Sequence, residues 1–184
     1  GLARGFGFDE DARKFAAMAA RAADSFDAQF WNEGAGCLYD VVDGAARDAS
    51  LRPNQIFAVS LHHPLLAGER ARRVLEVVER ELLTPYGLRS LAPGDPRYGG
   101  HYGGSPAERD AVYHQGTVWA WLVGPFVTAY LKVHGRTPES VAALSATTPY
   151  QRQQGLERAR DRIDSLGKFA ILQLRGREAQ VFTQ

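Results

Sequence analysis

The chain has 184 residues, 45% apolar and 23% charged, enough for one globular domain with its own hydrophobic core. Its 22 basic and 21 acidic groups leave a net charge of +1, which gives no sign of a nucleic-acid partner. The single cysteine, Cys37, excludes an internal disulfide and fits a reducing, cytoplasmic setting, and no uncharged apolar run approaches the roughly 18 residues a membrane-spanning helix needs.

The N-terminal stretch lacks the continuous apolar core of a signal peptide, and the only methionine, Met18, falls inside a helical pattern, so a piece of a longer protein is expected. Residues 9–30 form the first predicted helix. Phe15, Ala19, Ala22, Phe26 and Phe30 recur at steps of three and four, and the acidic residues 9–11 suit a helix N-terminus. A Gly turn and a short run of strand formers over 32–44 predict a hairpin strand. Residues 51–66 read as a second helix, with Pro53 in its first turn and Pro64 near its end. Residues 68–83 give the cleanest helix, striped by Ala71, Val74, Val78 and Leu82, and 84–87 (TPYG) is a turn.

Residues 92–110 read as one long Gly-rich loop, a kind of segment that is usually functional or mobile. It is followed over 116–133 by a strongly apolar, buried helix lined by Trp119, Leu122, Phe126 and Tyr130, with a kink expected at Gly124-Pro125. Thr137 and Pro138 are placed as N-cap and first residue of a further helix. The tail is polar and turn-rich over 145–155, then carries a modest helical stripe at Leu156, Ala159, Ile163 and Leu166. The expectation is a mainly α fold of helical hairpins with short strands at one end.

Arg52, Asn54 and Gln55 at a helix mouth can bind sugar hydroxyls or carboxylates, or simply cap and decorate that helix. Tyr113, His114, Gln115 and Trp119 offer rings to stack on a pyranose face and polar groups for its hydroxyls. Taken alone they also fit a buried aromatic helix whose free amides His114 and Gln115 satisfy. Asp95, Glu108 and Asp110 are the carboxylates of the long loop. Glycosidic hydrolysis needs two such groups held in place, while most loop carboxylates are simply solvated. His62 and His63 are adjacent, point apart on a helix and lack completing ligands, so no metal is expected there. The glycines of the long loop match neither a P-loop nor a dinucleotide fingerprint.

Four stretches taken together carry a resemblance: FWNEGAGCLYDVVDG, SLRPNQIFAVSL, ELLTPYGLRSLAPGDPRY and YHQGTVWAW followed by GPFVTAYL. In this order and spacing, over about residues 9–143, the chain resembles the C-terminal glucosidase domain of glycogen debranching enzymes. The resemblance implies part of an (α/α)6 toroid, residues 1–144, with 145–184 a divergent tail. It implies hydrolysis of α-1,6-glucosidic branch points of an α-glucan by inversion, without metal or organic cofactor. Arg52, Asn54, Gln55, Tyr113, His114, Gln115 and Trp119 are then substrate-binding residues. The family's acid lies in an upstream Trp-Met-Asp-like motif and its base in a later Ser-Glu motif. Neither occurs here, Ala120 replaces a usual proline, and Asp110 is left as the in-chain catalytic candidate. A non-catalytic α-glucan-binding module is the alternative. An incomplete ring would also leave apolar helix faces exposed, so self-association is expected.

Overall fold

The computed structural model describes residues 2–147, and the tail stripe and turn-rich run beyond residue 147 lie outside the described residues. The described chain is mainly helical with short strands. It begins with a single turn, α1 (Leu2–Gly5), and the long helix α2 (Asp9–Phe30). Two small hairpins follow, β1 (Trp31–Asn32) with β2 (Cys37–Leu38), and β3 (Val41–Asp43) with β4 (Ala46–Asp48). A 3-10 turn (Pro53–Ile56) runs into α3 (Phe57–Ser60), and then comes α4 (Gly68–Glu81). β5 (Leu83–Thr84) and β6 (Gly87–Arg89) pair antiparallel. After α5 (Pro106–Val112), β7 (Val118–Trp119) joins the other edge of β6. A 3-10 turn (Ala120–Leu122), α6 (Val123–His134) and α7 (Pro138–Thr147) complete the described chain.

The core is built where α4, α3 and α6 meet. The predicted α4 stripe, Ala71, Val74, Val78 and Leu82, is fully buried, with Leu75 beside it. It faces Phe126 and Ala129 of α6 and Ile56 and Val59 of the 53–60 segment, and Cys37 and Leu38 of β2 belong to the same cluster. Burial of an aromatic or branched aliphatic side chain contributes about 1.5–3 kcal/mol each, so this group supplies most of the driving force. The expected cap at Thr137 is present. Thr137 Oγ1 accepts from the Ser140 N–H at 3.2 Å and Ser140 Oγ accepts from the Thr137 N–H at 3.0 Å.

Three expectations need correction. The helix expected over 51–66 is only Pro53–Ser60, because Leu61 turns extended and Pro64 disfavours helix in the residue before it. The next residues fold back, with the Leu65 and Leu66 amides donating to Ala58 O. Lys132 Nζ reaches over from α6 to the last carbonyls of α3, Val59 O and Ser60 O, both at 3.1 Å. The 92–110 loop is shorter than expected, since Ser105 and Glu108 form a capping box that starts α5. The helix expected from 116 begins only at Val123. Val118 and Trp119 pair with Arg89 and Leu88, and this cross-strand pairing overrides the helical pattern. Gly124 and Pro125 therefore fall in the first helical turn, where the missing N–H breaks no intrahelical bond.

Candidate functional site

The RPNQ and YHQG segments, whose Arg52 and His114 are 62 positions apart, are drawn together by one side chain. Arg52 sits at the extended entry to the 3-10 turn. Its Nη1 donates to Ser90 O at 3.1 Å and to His114 O, and its Nη2 donates to Gln115 Oε1 at 2.9 Å. Its Nε lies 3.4 Å from Asp40 Oδ2, and both side chains are nearly buried, at 13% and 11% exposure. Asp40 Oδ1 in turn accepts from Asn54 Nδ2 at 2.9 Å. Gln55 donates to Arg52 O at 3.1 Å, fixing the turn from inside. Ser90 completes the knot: its Oγ accepts from the Gly116 N–H at 2.9 Å.

This knot floors a recess of about 420 Å³ lined by Asp40, Asn54, Tyr113, His114, Trp119 and Trp121, among others. Tyr113 packs edge-on against Trp119 at 4.7 Å and against His114 at 4.8 Å, making one aromatic wall. Trp121 is largely exposed and lies 6.1 Å from Phe57 at the rim. Of the predicted residues, Arg52, Asn54, Tyr113, His114 and Trp119 line this recess. Gln115 stands behind it, holding Arg52, and Gln55 faces a neighbouring apolar cavity of about 200 Å³ that also touches Asp40, Arg52 and Asn54. His114 and Gln115 sit in the turn between α5 and β7 rather than at the mouth of a helix, because the following helix starts later than expected.

Asp40 is the residue that the sequence reading missed. It lies inside the FWNEGAGCLYDVVDG stretch, between β2 and β3, where its backbone N–H donates to Asp48 O at 2.8 Å. A carboxylate two residues beyond β2 and immediately before β3, in a segment that also carries the resemblance, was the available signal.

The loop carboxylates have other occupations. Asp95 is gripped by the Arg97 guanidinium at 2.9 and 3.0 Å, and these hydrogen bonds push its carboxyl down to about 2. Arg97 also reaches Ser50, whose hydroxyl and amide hold Asp48 below its ordinary range. Glu108 accepts from the Ser105 N–H at 2.7 Å, and this bond lowers its carboxyl. Asp110 is exposed on α5. His62 and His63 stack edge-to-face at 4.6 Å, and among the described residues no cluster of three metal-ligating side chains forms. No helix among them is long and apolar enough to cross a membrane.

Small-molecule pockets in general combine apolar and aromatic walls with a few fixed polar groups, and this recess in a mainly helical scaffold has both. The chain belongs to the amylo-alpha-1,6-glucosidase family, which it matches over residues 4–168. It is also similar to the glycogen debranching enzyme of Saccharomyces cerevisiae, 32% identical over 96 residues. That segment is 49% of this chain and 6% of the yeast protein, so the chain spans a small part of its relative's length.

Proposed function

We propose that this chain is part of a debranching-type glucosidase domain and that the Arg52 recess receives a glucose unit of an α-glucan. The observation that carries this reading is the convergence of the two resemblance segments, RPNQ and YHQG, on one recess through Arg52. Trp119 and Tyr113 offer apolar ring faces to the C–H side of a pyranose. Asn54, Asp40 and His114 supply donors and acceptors for its hydroxyls. Arg52 acts chiefly by fixing this wall, its guanidinium being engaged with Asp40, Ser90, His114 and Gln115. The helices are read as part of an (α/α)6 toroid, in a cytoplasmic enzyme that hydrolyses α-1,6 branch points by inversion.

Inversion requires one protonated and one ionised carboxyl on opposite sides of the scissile bond. Asp95 and Glu108 are tied to Arg97 and Ser105, and Asp40 in the recess is paired with Arg52 and Asn54, which leaves Asp110 as the in-chain candidate and favours a catalytic pair outside the described residues. The same observation supports a second reading, a non-catalytic α-glucan-binding module. Each positioned acid or base typically supplies about 10²–10⁴-fold, so the isolated chain should release no measurable glucose from a limit dextrin. It should nevertheless bind the dextrin, and Trp119→Ala should abolish that binding. Glucose release that disappears in Asp110→Asn would place a catalytic carboxyl within this chain. A failure of the wild-type chain to bind α-glucan at all would sink the proposal. Self-association is part of the same reading, because α2 exposes Phe15 and Met18.

A further inference from the structure

A second recess lies on the far side of β7. Val118 and Trp119 are consecutive in a strand, so their side chains leave opposite faces. Trp119 lines the Arg52 recess, whereas Val118 lines a cleft of about 440 Å³ with Arg89, Tyr98, Tyr102 and Gly116. The two recesses share no lining residue, so the cleft can hold a ligand of its own.

Electrostatics set this cleft apart. Among the described residues four arginines are partly buried: Arg52, Arg70, Arg73 and Arg89. Three of them face carboxylates, Arg52 on Asp40, Arg70 on Asp27 and Arg73 on Glu33. The Arg89 guanidinium has no hydrogen-bond or ion-pair partner among the described residues, and no Asp or Glu among them lines its cleft. A partly desolvated cation without a counter-charge is unfavourable by itself. Its planar fork matches the oxygens of a phosphoryl group in two parallel bonds. The surroundings add donors. The Tyr98 and Tyr102 hydroxyls have no hydrogen-bond partner among the described residues. A Cβ at Gly100 would lie 3.6 Å from the Tyr98 hydroxyl, and one at Gly116, whose φ is +133°, 2.6 Å from the Tyr98 ring. Two glycines therefore make room for this side chain and leave its hydroxyl open. The Gly99 N–H donates to Gln115 O at 2.6 Å and pins the segment that carries Tyr98. The donors are thus held before any ligand arrives, which lowers the ordering cost of binding.

We propose that this cleft binds a phosphoryl group, free or carried on a small organic ester. Arg89 gives it two donors, and Tyr98 and Tyr102 give one each. The site stands independently of the α-glucan reading. The test is a phosphorus NMR titration of inorganic phosphate with the 184-residue chain at fixed ionic strength, with phenyl phosphate and acetate as competitors. The wild-type chain should bind phosphate with a roughly millimolar Kd. Acetate, with fewer acceptor oxygens, should bind at least about tenfold more weakly. Tighter binding of phenyl phosphate assigns the site to an ester, and equal binding assigns it to free phosphate. Arg89→Met should weaken phosphate binding by at least about tenfold, and Arg89→Lys, a point charge without the fork, should fall between. Tyr102→Phe, on an exposed side chain, should weaken it by about threefold. Without phosphate, the thermal midpoint of Arg89→Met should equal or exceed that of the wild type, since the change removes an unpaired charge and keeps an apolar stem. A midpoint several degrees lower shows that the guanidinium already has a partner within the protein, and overturns the proposal. Absence of phosphate binding in the wild type, wild-type affinity in Arg89→Met, or acetate bound as tightly as phosphate overturns it as well.

Discussion

Phe15 and Phe126 are the same residue on two amphipathic helices, and they end in opposite surroundings. Phe126, on α6, is fully buried among Ile56, Leu75 and Val78. Phe15, on α2, is 57% exposed, and of the stripe predicted for α2 only Phe26 and Phe30 reach the core, stacked on each other at 4.7 Å. The 22 residues of α2 include none that is buried, against five among the 14 of α4. Periodicity therefore states which face of a helix demands cover. Whether that cover is supplied depends on neighbours the helix does not encode.

The largest effect expected is on the buried side. Phe126→Ala should cost about 3–5 kcal/mol, read from denaturant unfolding, because the α4–α6 contact cannot collapse onto the space left. A loss below about 1 kcal/mol would mean that the two helices are not as unlike as their burial implies. Next comes the knot between them. Arg52→Met leaves Asp40 without its cation at 11% exposure, and should cost about 2–3 kcal/mol, less than a fully buried pair because some solvent reaches it. The same variant should lose α-glucan binding, since the YHQG turn is released. Ser105→Ala removes the α5 cap and should cost about 1 kcal/mol in the same unfolding experiment.

On the exposed side, Phe15→Ser should change stability by no more than about 0.5 kcal/mol. It should, however, reduce self-association in sedimentation velocity. A large stability loss would show that α2 is covered in solution and would break the comparison. The smallest effect concerns Asp95. Its carboxyl titrates at about 2 in the folded chain against an ordinary 3.8, so the unfolded chain takes up its proton first as pH falls. The contribution is complete above about pH 4 and disappears as pH falls through about 2. Asp95→Asn should flatten that acid limb of the thermal midpoint slightly and leave neutral pH nearly unchanged.

Much of the helical frame was legible before the structure. Residues 9–30, 68–81 and 138 onward follow local signals: acidic first turns, apolar stripes and a Thr-Pro start. What was not legible depends on distant partners. Val118 and Trp119 continue an apolar helical pattern, yet β6 claims them as a strand. Gly87 shows how closely that pairing is drawn, since a Cβ there would sit 2.4 Å from Trp119 O. Arg52, Asn54, Tyr113, His114 and Trp119 were identified together from the resemblance and do line one recess, but the guanidinium's grip on the backbone required coordinates. The Ser105–Glu108 box is a local signal, but it follows directly on the Gly-rich 99–104 run, whose composition reads as loop.

Cys37 carries one last consequence. It is 1% exposed, at the point where β2 meets α4, and burial raises its thiol above the ordinary range. The reactive thiolate is thus doubly withheld, by access and by protonation. A thiol reagent can find it only when β2 lifts from α4. With one cysteine in 184 residues, labelling is a clock with a single hand, timing how often this corner of the fold opens.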